Sequence, residues 1–262
     1  MSNERVNRIA AHLHGQNARK ATFEWLSGAL APKDLREAYL AQSALHDLWR
    51  ERDGRKLIGW KIAVTSKAMQ ELCGIDQPCV GAMFDTHVLQ SPAKVRLGDF
   101  VRLGLEFELA ARIDTDMTDG PYDAASAKAA VAGVAPCFEL IEDRGADYAG
   151  FNAHSLIADN TWNGGVVLGP EISNWRNVDW TAAPVTLDYN DVAEQANTGE
   201  AMGDPFNSLA AVANNLLERS LHLRAGEIVI TGSTLKTRFA AAGDTARYAI
   251  DGHGAVDIEI VA

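Results

Sequence analysis

A chain of 262 residues, 47% hydrophobic and 23% charged, has the make-up of an ordinary globular protein and leaves no room for long disorder. Its formal net charge of -11, with no Lys/Arg-rich run to offset it, repels phosphate backbones and makes nucleic acid a poor partner. No window approaches the roughly 20 apolar residues that span a bilayer, and MSNERVNRIA lacks the apolar core of a secretory signal, so no membrane and a cytoplasmic address are expected.

In chain order, Val6, Ile9, Ala10 and Leu13 repeat at helix spacing. A second helix is expected to open at Pro32, carry Leu35, Ala38, Tyr39, Leu45, Leu48 and Trp49 on one side, and end at Gly54. From about residue 56 the period changes to two: Ile58, Trp60, Ile62 and Val64 share one face of a strand and Lys61 points to the other. Thr65 or Ser66 then caps a short helix. Val101, Leu103, Leu105, Phe107 and Leu109 alternate with Arg102, Gly104, Glu106, Glu108 and Ala110, the regular pattern of a strand.

The Ala-rich segment 123–134 reads as a helix, and Pro136 as the start of a strand through Phe138 and Leu140. Strands are expected over 164–169 and 184–189, a helix after Pro205, and strands with Gly-rich turns over 228–260. The fold class that follows is α+β, with a helical N-terminal region through residue 75, including the first core strand, and a mainly β core over 76–262.

Chemistry concentrates on three acids. Glu106 and Glu108 project from one strand face, their Cα atoms roughly 7 Å apart. By pattern alone a wetted strand face accounts for both. Glu139 changes the balance, because it lies in the apolar run VAPCFELIE, where an ionised carboxylate is costly unless paired or metal-bound. Three carboxylates suit a hard ion, Mg²⁺ or Mn²⁺, and not zinc.

Lys61, on the polar face of LIGWKIAV, either snorkels to water or pairs with an anion. Asp159 and Asn160 read as a turn or as site residues, and so does the loop 231–234. Cys73, Cys79 and Cys137 form no CxxC pair, and the seven histidines show no ligand spacing. A nucleophile elbow, a phosphate loop and a dinucleotide fingerprint are all missing.

Together AYLAQ, GWKIAVTSKAMQ, LEFELA, PCFELIEDR, IADN, NSLAAVANNL, LRAGEIVITGS and a late Gly-Asp resemble, in order and spacing, the hydratase/decarboxylase branch of the fumarylacetoacetate hydrolase superfamily. The resemblance implies a mixed β-sheet roll with N-terminal and peripheral helices, in a homo-oligomer that can associate with a pathway enzyme. It implies metal ligation by Glu106, Glu108 and Glu139 and an active-site lysine at Lys61; Cys79 and Ser233 are further catalytic candidates, and Ser66, Leu109, Arg144, Asp159, Asn160 and Trp162 are expected to touch substrate. The implied reaction adds water to a 2-hydroxydienoate, or 2-oxo-enoate, as in meta-cleavage of aromatic compounds. Its alternatives are decarboxylation of a 2-oxo-enedioate such as 4-oxalocrotonate, hydrolysis of an acylpyruvate, or a non-catalytic partner subunit.

Four departures from that branch touch the pocket. Cys79 stands where hydratases carry an Asp, Gly104 replaces a basic residue, and Ser155 replaces an Asp. Thr161, Trp162 and Asn163 replace small residues. The exchange of charge for an indole leads us to expect a bulkier or less charged substrate.

Overall fold

The structure, a computed structural model, describes residues 2–262. Helices α1 (Ser2–Ala18) and α2 (Leu35–Asp53) pack against each other and bury Ile9, Leu13, Leu45 and Trp49. The second helix starts later than Pro32 because Asp34 caps it, its carboxylate accepting the Glu37 N–H at 2.7 Å. Gly54 closes it, as expected.

Strand β1 (Leu57–Ala63) leads into α3 (Lys67–Cys73), then β2 (Cys79–Phe84), β3 (Val88–Gln90), β4 (Ala93–Arg96) and the long β5 (Leu103–Ile113). Next come α4 (Ala124–Ala129), β6 (Val131–Glu142), α5 (Ala153–Ala158), β7 (Asn163–Leu168), β8 (Pro184–Tyr189) and β9 (Val192–Asn197). The chain finishes with α6 (Pro205–Glu218), β10 (Ile228–Ile230), β11 (Arg238–Phe239), β12 (Thr245–Ile250) and β13 (Gly254–Val261). The helix expected over 123–134 is shorter. Asp123 and Ser126 cap it reciprocally, but from Val131 the chain pairs with β5, and the ladder of two long strands overrides the helix propensity of the alanines.

An eight-stranded mixed sheet runs β2-β1-β10-β5-β6-β7-β3, with β11 also paired to β5. The β1/β10 and β3/β7 pairs are parallel and the rest antiparallel. A second, five-stranded sheet runs β4-β13-β12-β8-β9. The main core lies between them, where Phe107 meets Phe138 and Tyr248 at ring-centroid distances of 5.8 and 6.0 Å. Alternation along the strands therefore gives the large sheet two different faces. Trp60, Ile62, Leu105, Phe107, Leu109 and Phe138 enter the main core, whereas Met83, Ala110, Cys137, Val166 and Ile230 form a separate apolar cluster on the opposite face, together with Lys61 and the three glutamates. Among the described residues, no helix is long and apolar enough to cross a membrane.

Candidate active site

Antiparallel register sets Glu106 directly opposite Glu139, with Glu108 two residues further along the same face of β5. One oxygen from each of the three carboxylates lies within 4.8 Å of the others. Lys61 arrives from β1, which β10 separates from β5, and places Nζ 3.1 Å from Glu139 Oε2; both side chains are buried. The group thus sets three carboxylates against one ammonium inside the protein.

Burial, and then Glu139 and Glu106, push the Glu108 carboxyl well above the usual range. Burial raises Glu139 as well, and although Lys61 opposes it the carboxyl reaches about 7. For Lys61 burial acts downward, but attraction to Glu139, Glu106 and Glu108 outweighs it and holds the ammonium above the ordinary lysine value.

Each carboxylate has one oxygen oriented by a neutral donor. Thr237 Oγ1 donates to Glu106 Oε1 at 2.6 Å, the Gly232 N–H to Glu108 Oε2 at 2.7 Å, and Asn163 Nδ2 to Glu139 Oε1 at 2.8 Å. The other oxygen of Glu108, Oε1, is buried without a hydrogen-bond partner, a costly arrangement in the absence of a cation. Three hard oxygens around one such atom fit a divalent cation of the Mg²⁺ or Mn²⁺ kind.

The Gly232 donor depends on a backbone that folds back on β5. Its φ of +94° is one that L side chains rarely adopt. On either side, Thr231 N–H and Oγ1 donate to Leu109 O, and Thr234 N–H and Oγ1 donate to Phe107 O. Ser233, expected as catalytic, belongs to the same clamp: its Oγ accepts the Phe107 N–H at 2.9 Å and donates to Leu235 O at 2.8 Å. The hydroxyl is engaged with backbone.

Three more of the expected residues have surroundings of their own. Cys79 packs among Ala38, Tyr39 and Ile157, and burial pushes its thiol up to about 12, so near neutral pH it is neutral. Leu109 turns into the main core, because odd positions of β5 face away from Glu106 and Glu108. Ser66 is an exposed helix cap, accepting the Met69 N–H at 3.3 Å.

Arg144, Asp159 and Asn160, expected to touch substrate, join a buried network. Arg144 Nη1 lies 2.9 Å from Asp159 Oδ2 and donates to Asn17 Oδ1 at 3.0 Å, while Asn17 Nδ2 donates to Asp159 Oδ1 at 3.0 Å. Asn160 Nδ2 donates to Ala82 O, and its Oδ1 accepts the Ala82 N–H and the His46 Nε2–H. Burial pushes His46 down to about 3, which fixes it as the neutral donor. These bonds hold Asn160, Thr161 and Trp162 at φ values of 56, 50 and 59°, a left-handed turn costing about 1–3 kcal/mol per residue. The turn presses on Gly81, where a Cβ would stand 2.1 Å from Thr161 Oγ1, and delivers Trp162 and Asn163 beside Glu139.

Sequence reading missed Thr237 altogether, and it noted Asn163 without its bond to Glu139. Neither has a periodic signal: Thr237 reaches Glu106 only because β11 pairs with β5, opposing Arg238 to Leu105 and Phe239 to Gly104.

The profile of the fumarylacetoacetate (FAA) hydrolase C-terminal family matches residues 74–261, which include all three glutamates. The 2-keto-4-pentenoate hydratase of Burkholderia vietnamiensis (strain G4 / LMG 22486) is 29% identical over 249 residues, 95% of this chain and 94% of that protein. The 2-hydroxyhexa-2,4-dienoate hydratase of Comamonas testosteroni is 30% identical over 213 residues, 80% of each chain. Among solved structures, the 4-oxalocrotonate decarboxylase of Pseudomonas putida G7, complexed with magnesium and adipate, superposes with a TM-score of 0.92 at 23% identity. That alignment covers 100% of this chain and 99% of the other, a likeness of fold.

Proposed function

The chain belongs to the fumarylacetoacetate hydrolase family, and from that premise we propose that it is a divalent-metal-dependent lyase adding water to a 2-hydroxydienoate, through its 2-oxo-enoate form, to give a 4-hydroxy-2-oxo acid. One observation carries the reading: Glu106, Glu108 and Glu139 converge beside Lys61 with Glu108 Oε1 buried and unpartnered. Those three carboxylates would hold Mg²⁺ or Mn²⁺. When bound, the ion supplies Lewis acidity toward the carboxylate and 2-oxo oxygens of the substrate.

The remaining work falls to the chain's own groups. Thr237, the Gly232 amide and Asn163 set the carboxylate orientations, so their oxygens need no reorganisation when a cation or substrate arrives. Lys61 keeps a proton on Nζ and supplies the positive charge that an acidic chain needs to receive an anionic substrate. From that position it can give a proton to the dienol carbon, and Glu139 Oε2, 3.1 Å away, is the nearest carboxylate for the return transfer. The apolar cluster of Met83, Ala110, Cys137, Val166 and Ile230 on the same face keeps water from beneath these groups.

A second reading, decarboxylation of a 2-oxo-enedioate such as 4-oxalocrotonate, is favoured by Cys79. Its neutral, buried thiol removes one candidate for activating water, which decarboxylation does not require. Incubation with 2-hydroxypenta-2,4-dienoate and with 4-oxalocrotonate under Mg²⁺ or Mn²⁺, with hydrated product and CO₂ both quantified, separates the two. Hydrated product from the dienoate is the expected result, and CO₂ as the sole product supports the second reading. Turnover of neither, with a thermal midpoint that Mg²⁺ plus oxalate does not move, overturns both.

A further inference from the structure

Beside the carboxylates lies a group of aromatic side chains that the chemistry above does not use. Phe23 and Trp25 follow α1, Tyr148 and Phe151 come from the loop between β6 and α5, and Trp162 ends the left-handed turn before β7. Their rings pack edge to face, tilted or stacked, at centroid distances of 5.0 to 6.2 Å. The group grades outward: Phe23 and Trp162 are buried, Trp25 and Phe151 half-buried, and Tyr148 is 45% exposed.

A closed circuit of contacts ties these rings to the carboxylates. Ile141 packs with Trp162 and lies two residues from Glu139 on the same face of β6. Opposite Ile141 is Gly104, where an added Cβ would meet Ile141 Cβ at 3.2 Å and Thr237 Cγ2 at 3.3 Å; Thr237 itself holds Glu106. Asn163, the residue after Trp162, holds Glu139. The rings therefore stand next to the carboxylates along the same sheet face, joined to them through Ile141 and Asn163.

The cations at this wall each face a carboxylate, and Arg144 keeps one buried nitrogen, Nη2, without a hydrogen-bond partner. Lys61 pairs with Glu139, Arg144 with Asp159, and Arg102 with Asp143, the last also donating to Ala146 O. Lys20, Lys67 and Lys236, exposed and in no ion pair among the described residues, are with Arg144 Nη2 what a second anionic group would have to recruit.

Resting on the 2-oxo acid reading above, we propose that this aromatic wall is the subsite for the distal end of the substrate, and that it takes a flat apolar substituent, an aryl group foremost, in preference to a second carboxylate. An aryl group gains both area burial and edge-to-face contact there. A carboxylate would lose its water against the rings, and the guanidinium groups over them, Arg144 on Phe23 and Arg102 on Tyr148, already face Asp159 and Asp143.

The test uses unreactive ligands as well as substrates, so that binding and reaction fail separately. With the Mg²⁺-loaded protein, titration calorimetry should place 2-oxo-5-phenylpentanoate about tenfold or more tighter than 2-oxopentanoate, and 2-oxohexanedioate weakest. Trp25→Ala should shrink the aryl advantage to within about threefold, and Phe151→Leu, which keeps apolar bulk, should shrink it less. Hydration of 2-hydroxypenta-2,4-dienoate is measured in parallel. Loss of that turnover with the binding order intact overturns the reaction and leaves the subsite standing. An equal or reversed order, or a dicarboxylate preference abolished by Lys236→Ala, overturns the subsite whether or not turnover survives.

Discussion

Arg144 and Asp159 form one buried ionic group of this protein, and Glu106, Glu108, Glu139 and Lys61 form another. In the first, an arginine meets a carboxylate at 2.9 Å, and Asn17 bridges both partners. In the second, like charges crowd one face, one oxygen has no partner, and burial holds two carboxyl groups above their usual range. The contrast separates scaffold from site. The first balances its charge internally, although Arg144 Nη2 stays unpartnered and burial raises Asp159 too, whereas a buried excess of one sign is stable only with something else bound or with protons taken up.

The largest effect should come from breaking the open group. Glu108→Gln is expected to lower Mg²⁺-supported turnover by about 10³-fold or more. In metal-free protein the same change should raise the thermal midpoint, because it removes a buried like charge. A metal-free midpoint that falls would mean that the three acids are a structural network. Breaking the closed group should act the other way: Arg144→Met strands Asp159 and should cost about 3–5 kcal/mol by urea unfolding, most of it recovered by adding Asp159→Leu. A single-variant loss below about 1 kcal/mol would deny Arg144 its positioning role.

The smallest effect tests the turn between the two groups. Burial pushes folded His46 from its ordinary value of 6.5 down to about 3, so the unfolded chain binds a proton that the native state refuses. Stability from this residue is therefore complete above pH 6.5 and is lost at about 1.4 kcal/mol per pH unit below it, down to about 3. Unfolding of wild type and His46→Gln between pH 6.5 and 4 should show the shallower slope in the variant, and parallel slopes would refute the assignment.

How far the sequence was legible varied with the kind of signal. The β5 alternation placed Glu106 and Glu108 together and Leu109 away from them, although Leu109 had been assigned to substrate. Lys61 was correctly put on the face opposite Trp60 and Ile62, but that its ammonium ends on Glu139 depends on how β1, β10, β5 and β6 line up. The AAS-rich stretch misled because helix propensity is weak beside an eleven-pair strand ladder, and only the paired strand shows that Val131 onward belongs to it. Polar residues in IADN were read as substrate contacts because a sequence does not show which hydrogen bonds are already made.

By itself the sequence determined the periodicities, hence which side chains share a face, and the sign of the charge that a buried face would have to neutralise. These are local properties, set by strand and helix geometry within a few residues. Tertiary structure decided which faces meet: that Thr237, the Gly232 amide and Asn163 orient three glutamates, that Cys79 and Ser233 are engaged elsewhere, and that five aromatic rings from three segments stand beside the site. Those contacts join residues far apart along the chain, and strand register together with the left-handed turn at Asn160–Trp162 brings them together.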